Sequence, residues 1–143
     1  MSRIIPLLLS AALLTTAAPA MASKSLKSAD EVITALNKGQ SVNVTIDLSA
    51  CTPQEGTPAS KTRGGLHINA YRLIDTGTLS FSDEHFTVAN DNTPIQQFMR
   101  YQVLPDNTVR FTTFMFNLPS LQQRGNTLSY LCKLDQDIRF FKQ

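Results

Sequence analysis

The chain has 143 residues, with 13 Lys and Arg against 11 Asp and Glu, two cysteines and no tryptophan. A formal charge of +2 gives phosphate backbones and anionic membrane surfaces little to attract, so nucleic acid is excluded as the expected partner. The length suits one domain with a core of its own.

The first stretch has the form of a targeting segment. Arg3 supplies a positive start, residues 4–18 are a short run rich in Leu and Ala, and Ala20-Met21-Ala22 places small residues where a signal peptidase reads them. The run falls short of the roughly 20 apolar residues that a membrane span needs. The sequence therefore predicts a signal peptide over residues 1–22, cleaved before Ser23, and a single exported domain over 23–143. That domain would work in the periplasm or the medium, with no membrane insertion after cleavage. Cys51 and Cys132, in such an oxidising compartment, read as one disulfide closing a loop of about 80 residues, with two buried thiols as the alternative.

Residues 28–37 read as the one helix. Ser28 suits an N-cap, Glu31 completes a capping box, Val32, Ile33, Ala35 and Leu36 form an apolar stripe, and Gly39 suits a left-handed C-terminal cap. From Ser41 the period changes to two: Val42, Val44, Ile46 and Leu48 alternate with polar residues, as in a half-buried strand. Residues 49–65 lose periodicity and read as a long loop anchored at Cys51. Residues 66–74 alternate again as a strand, and Asp75-Thr76-Gly77 is a turn. Residues 78–81 and 85–89 read as two short strands around Ser82-Asp83-Glu84, followed by a turn at Asn90-Asp91-Asn92. Residues 95–104 are equivocal at their Gln96-Gln97 start between strand and helix. Pro105-Asp106-Asn107 joins them, as a hairpin turn, to a strand over 108–116. Pro119 and Gly125 bracket a connection with room for one helical turn, and strands over 127–134 and 138–141 end the chain. The expected fold is mainly β (α+β). One N-terminal helix packs on a curved antiparallel meander or small barrel of about seven strands, closed by one disulfide.

Three segments carry a family resemblance. Gly64-Gly65-Leu66-His67-Ile68-Asn69-Ala70-Tyr71, then Gly77-Thr78-Leu79-Ser80-Phe81-Ser82-Asp83-Glu84-His85-Phe86, then Pro94-Ile95-Gln96-Gln97-Phe98-Met99-Arg100-Tyr101 resemble the bacterial VirK family. The early and late cysteines, the exported start and the length suit it as well. The resemblance implies an exported bacterial protein whose family name comes from virulence regulons. It implies no activity, and it brings no catalytic residues to carry over.

Candidate site residues are few. His67 and His85 are the only histidines, and Asp83 stands two residues before His85. Together they would suit zinc, but an exposed turn with a polar strand end explains them equally, and no metal or cofactor is expected. Ser80 or Ser82 with His85 lacks the Gly-x-Ser-x-Gly elbow of a serine hydrolase, so no catalytic residue is assigned. The hairpin around residues 105–107 offers more. Arg100 and Arg110 could meet across its strands and share an anion, with Tyr101, Tyr71 and His85 as further ligand contacts, although both arginines also suit a solvated sheet face. The leading expectation is a non-enzymatic domain that binds a small ligand or a protein partner. An enzyme using His85, Asp83 and Arg100 is the first alternative, and an interaction protein using the long loop is the second.

Overall fold

The computed structural model describes residues 22–143. The expected signal peptide therefore lies, except for Ala22, outside the described residues. The fold is mainly β: one short helix and two antiparallel sheets, tied by the Cys51–Cys132 disulfide.

The first sheet has four strands in the order β1 (Lys24–Leu26), β11 (Ile138–Lys142), β2 (Val42–Asp47) and β4 (Arg63–His67). The second runs β3 (Thr52–Pro53), β10 (Leu128–Lys133), β8 (Thr108–Asn117), β7 (Pro94–Val103), β6 (Leu79–Val88) and β5 (Arg72–Leu73), with β9 (Gln122–Gln123) folded back on β8. The expected meander is thus the body of the second sheet. The last strand, β11, leaves it and pairs with β1 and β2 at the start of the chain. Among the described residues no helix is long and apolar enough to cross a membrane.

Helix α1 (Ala29–Asn37) starts and stops where its caps put it. The Ser28 hydroxyl accepts from the Glu31 N–H at 3.2 Å. The Glu31 carboxylate accepts from the Lys27 N–H at 2.9 Å, one residue earlier than a reciprocal capping box requires. At the other end Gly39 takes φ +69°, its N–H donates to Leu36 and that of Gln40 donates to Ala35. That is the Schellman closure for which glycine is suited. Val32, Ala35 and Leu36 enter the core.

Three hairpins share one loop chemistry. The turns at residues 75–77, 90–92 and 105–107 each end on a left-handed residue: Gly77, Asn92 and Asn107, with φ of 76°, 64° and 65°. A three-residue loop needs that conformation, and Gly and Asn adopt it most readily.

Four local expectations change. The two short strands around Ser82-Asp83-Glu84 are one ten-residue strand, β6, because β7 pairs with it from Leu79↔Val103 to Val88↔Pro94. Cross-strand pairing outweighs the polar triplet. The strand expected over 66–74 stops at His67, and the chain then crosses to the other sheet and re-enters as β5, leaving Leu73 and Ile74 exposed. The loop expected over 49–65 contains β3 and the start of β4. Gly65 is required there, since a Cβ would lie 2.5 Å from the Val44 carbonyl oxygen. The connection after Pro119 forms β9, with no helical turn. Strand β1 has only three residues, too few to show a period.

The core lies between the sheets. Val42, Val44, Ile46, Ile138 and Phe140 from the first sheet meet Leu79, Phe81, Tyr101, Val103, Val109 and Phe111 from the second. Phe140 stands edge-on to Phe81 with ring centroids 6.2 Å apart.

Candidate functional site

Strand alternation decides which side chains can share a site. On β6, β7, β8 and β10 the register places Phe81 opposite Tyr101, Tyr101 opposite Phe111, and Phe111 opposite Tyr130. All four point inward and form a continuous aromatic row. Phe81 stacks on Tyr101 at 4.8 Å, Tyr101 meets Phe111 edge-on at 4.9 Å, and Phe111 tilts towards Tyr130 at 6.4 Å. Contacts of this kind add to area burial.

Where β6 runs beyond the first sheet, the two sheets part. A cleft of about 540 Å³ opens there, over Met99, Tyr101, Phe111, Leu128 and Tyr130. Asp83, His85, Gln97 and Thr113 line its second-sheet side. Ile46, Leu48, Arg63, Gly64 and Gly65 form the opposite wall, with Ser60 and Thr62 from the long loop. That loop is anchored. Gln54 N–H donates to the Ser129 carbonyl at 2.9 Å. Ser129 N–H donates to the Thr57 hydroxyl at 3.0 Å, and the Tyr130 hydroxyl donates to the Pro58 carbonyl at 3.0 Å. The disulfide holds its start against β10.

Two features of the cleft have no use within the fold. Tyr101 is 3% exposed, and no group among the described residues hydrogen-bonds its hydroxyl. Among the described residues no sealed side-chain oxygen lacks a partner, so this hydroxyl opens into the cleft that Tyr101 lines. Burial, with the charge of Asp83 adding to it, pushes its pKa up to about 12. The second feature is Gly64. Nothing lies within 4 Å of where its Cβ would stand, and its backbone is not left-handed. Its missing side chain keeps the wall open.

A second depression of about 540 Å³ lies on the outer face of the second sheet, lined by Tyr71, Arg72, Ser80, Ser82, Phe98, Arg100 and Phe114. The Arg100 guanidinium lies 5.4 Å above the Phe114 ring. The Tyr71 hydroxyl donates to Asn37 Oδ1 at 2.9 Å.

The five expected ligand contacts therefore fall in separate places. Tyr101 and His85 line the inner cleft, and Tyr71 and Arg100 line the outer depression. Arg110, opposite Gln102 and Leu131, lines neither. Arg100 pairs with Thr112, so the two arginines share the outer face diagonally, not as direct partners. Asp83 and His85 point inward, while Arg100, Ser80 and Ser82 point outward. Neither an Asp–His–Arg set nor a Ser–His pair is assembled. His67 sits on the other sheet, its Nδ1 3.2 Å from Asn43 Oδ1. Among the described residues no three His, Cys, Asp or Glu side chains are placed to hold a metal ion. Phe111, on the hairpin strand that carries Arg110, joins Tyr101 in the cleft floor, whereas nothing in the sequence pattern singles out Met99, Tyr130 or Gly64 as cleft residues.

The sequence pattern of the VirK protein family matches residues 25–121. The chain belongs to the VirK family. Two relatives are alike along most of their length. An uncharacterized protein in the pinF2 3′ region of Rhizobium radiobacter is 43% identical over 141 residues, covering 98% of this chain and 97% of its own. The uncharacterized protein y4wH of Sinorhizobium fredii is 43% identical over 128 residues, covering 89% and 88%. The crystal structure of lpg1832, a VirK family protein from Legionella pneumophila, superposes with a TM-score of 0.73, covering 82% of this chain and 98% of its own. At 22% identity that likeness establishes the shared VirK fold.

Proposed function

We propose that this VirK-family protein is an exported binding protein that holds a small ligand in the cleft between its two sheets. The observation that carries this reading is the Tyr101 hydroxyl, buried among aromatic rings, unpartnered within the fold and open to the cleft. Open to the cleft and used by no neighbour, that hydroxyl is free to give or accept a hydrogen bond with a ligand that enters. Export is supported by the leader-like residues 1–22 and by the disulfide. Cleavage before Ser23 would spare every strand, since β1 starts at Lys24.

Native mass spectrometry of protein purified from a bacterial periplasm tests both parts. The expected species starts at Ser23, lacks two hydrogens for the disulfide and carries a small added mass. The Gly64→Val variant, which fills the cleft from a position with no neighbour, should fold and lose that mass. A bare protein in both cases, with no compound from a fragment screen shifting Tyr101 or Met99 signals, would defeat the cleft reading.

A protein partner is the second reading, favoured by one feature. Strand β5 covers β6 only at Leu79 and Ser80, so the edge from Ser82 to Val88 is unpaired, with Phe86 and Val88 60% and 59% exposed. Long exposed apolar edges invite strand addition. Phe86→Lys would abolish such pairing and leave the cleft unchanged.

A further inference from the structure

We infer that the ligand of the cleft is an organic cation: an ammonium group bearing N–H donors, carried on an apolar body of aromatic size. This inference rests on the cleft reading above and names its chemistry.

The charges around the cleft decide the sign. Arg63 is already neutralised, its Nε 2.7 Å from Asp47 Oδ2. Glu84 also borders the cleft, but its carboxylate already accepts from Gln96 Nε2 at 3.2 Å. Asp83 lies on the inward-alternating side of β6, solvent-exposed at the edge of the cleft, and has no ion pair or hydrogen bond among the described residues. Its charge is felt at the Tyr101 hydroxyl, which adds to the effect of burial there. The cleft therefore presents one unpaired carboxylate beside one unpartnered phenol. An anionic ligand would meet repulsion from Asp83. A neutral apolar ligand would leave both groups unmet. An ammonium group satisfies both at once, donating one N–H to the carboxylate and another to the phenol oxygen.

The floor fits the rest of such a ligand. Tyr101, Phe111 and Tyr130 offer ring faces and edges, and Met99 and Leu128 offer adaptable apolar contact. Aromatic rings next to a carboxylate attract organic cations through the ring quadrupole. The volume lies in the range of small-molecule sites.

Three probes of one shape test the charge: 2-phenylethylammonium, 2-phenylethanol and phenylacetate. The intact mature protein has no tryptophan and three tyrosines, two of which line the cleft, so tyrosine fluorescence reports on the site. The ammonium probe is expected to bind at least tenfold more tightly than the alcohol, with phenylacetate weakest. Asp83→Asn should abolish that preference and leave the affinity for the alcohol unchanged. Gly64→Val should weaken the ammonium and the alcohol together. Equal binding of alcohol and ammonium would overturn the cationic inference and leave the cleft reading standing. Ammonium binding that neither substitution alters would place the probe elsewhere and also overturn it. Binding by none of the three would overturn the inference. If the fragment screen above were blank too, the cleft reading would fall with it.

Discussion

Asn107 holds three parts of the protein together. Its φ of 65° closes the β7–β8 hairpin. Its side-chain oxygen accepts from the N–H of Ala29 at 2.8 Å, which satisfies one of the orphan donors at the start of α1. Its carbonyl accepts from the Leu134 N–H at 3.0 Å. Asn107→Gly keeps the left-handed turn and loses the helix contact, so it should lower stability by about 1 kcal/mol. Asn107→Ala loses the contact and strains the turn as well, so it should cost about 1 kcal/mol more. Urea unfolding of both variants checks the order. The turn was legible in Pro105-Asp106-Asn107, but the helix contact spans 78 positions and no local pattern announces it. Tyr101 supports a second prediction at this scale. Its pKa is raised from 10.0 to about 12, so the native state holds that proton where the unfolded chain releases it. The resulting stability is whole below pH 10 and is lost as pH rises through about 12. Absorbance at 295 nm should show one late ionisation, absent from Tyr101→Phe, and the variant should lose less stability across that window.

At the scale of elements, hairpin loops proved more informative than residue types. A three-residue loop at 105–107 pairs Leu104 with Thr108, and counting back puts Tyr101 opposite Phe111 and Arg100 opposite Thr112. The separation of Tyr101 from both arginines follows from that count. The break expected in β6 followed local polarity, yet Asp83 and His85 are held in a strand by Met99 and Gln97 opposite them. Their inward placement makes them cleft residues. The long loop was legible as irregular chain but not as a wall, because its anchors, Ser129 and Tyr130, lie 72 positions away. The disulfide, legible from the count of two cysteines, ties that loop to β10 across a separation of 81 residues. Chain entropy assigns such a closure about 4–5 kcal/mol. Replacing Cys51 and Cys132 by alanine should therefore lower the urea midpoint by an equivalent amount or prevent folding. If folded, the variant should show faster amide exchange over residues 54–60 than in the α1 helix.

For the whole molecule, the central question is what completes the two sheets. The matched family pattern ends at residue 121, before β10 and β11. Those two strands are interior: β11 lies between β1 and β2, and β10 lies between β3 and β8. They bring Tyr130, Cys132, Ile138 and Phe140, each at most 2% exposed, to the core. Phe140 alone, cut to alanine, should cost about 3–5 kcal/mol, a large part of the stability of a domain this size. A chain ending at Leu121 would lose the disulfide, both strands and the contact between Phe81 and Phe140 that joins the sheets. Its remaining strands β1 and β2 would have no partner between them. The expected outcome is an unfolded or aggregating product, seen as collapsed dispersion of amide proton shifts. A second product ending at Gln136 separates the contributions, since it keeps β10 and the disulfide but not β11. It should retain shift dispersion for β6, β7 and β8 while β2 and α1 lose theirs. Cooperative loss of the whole spectrum would instead mean that the two sheets fold only as one unit.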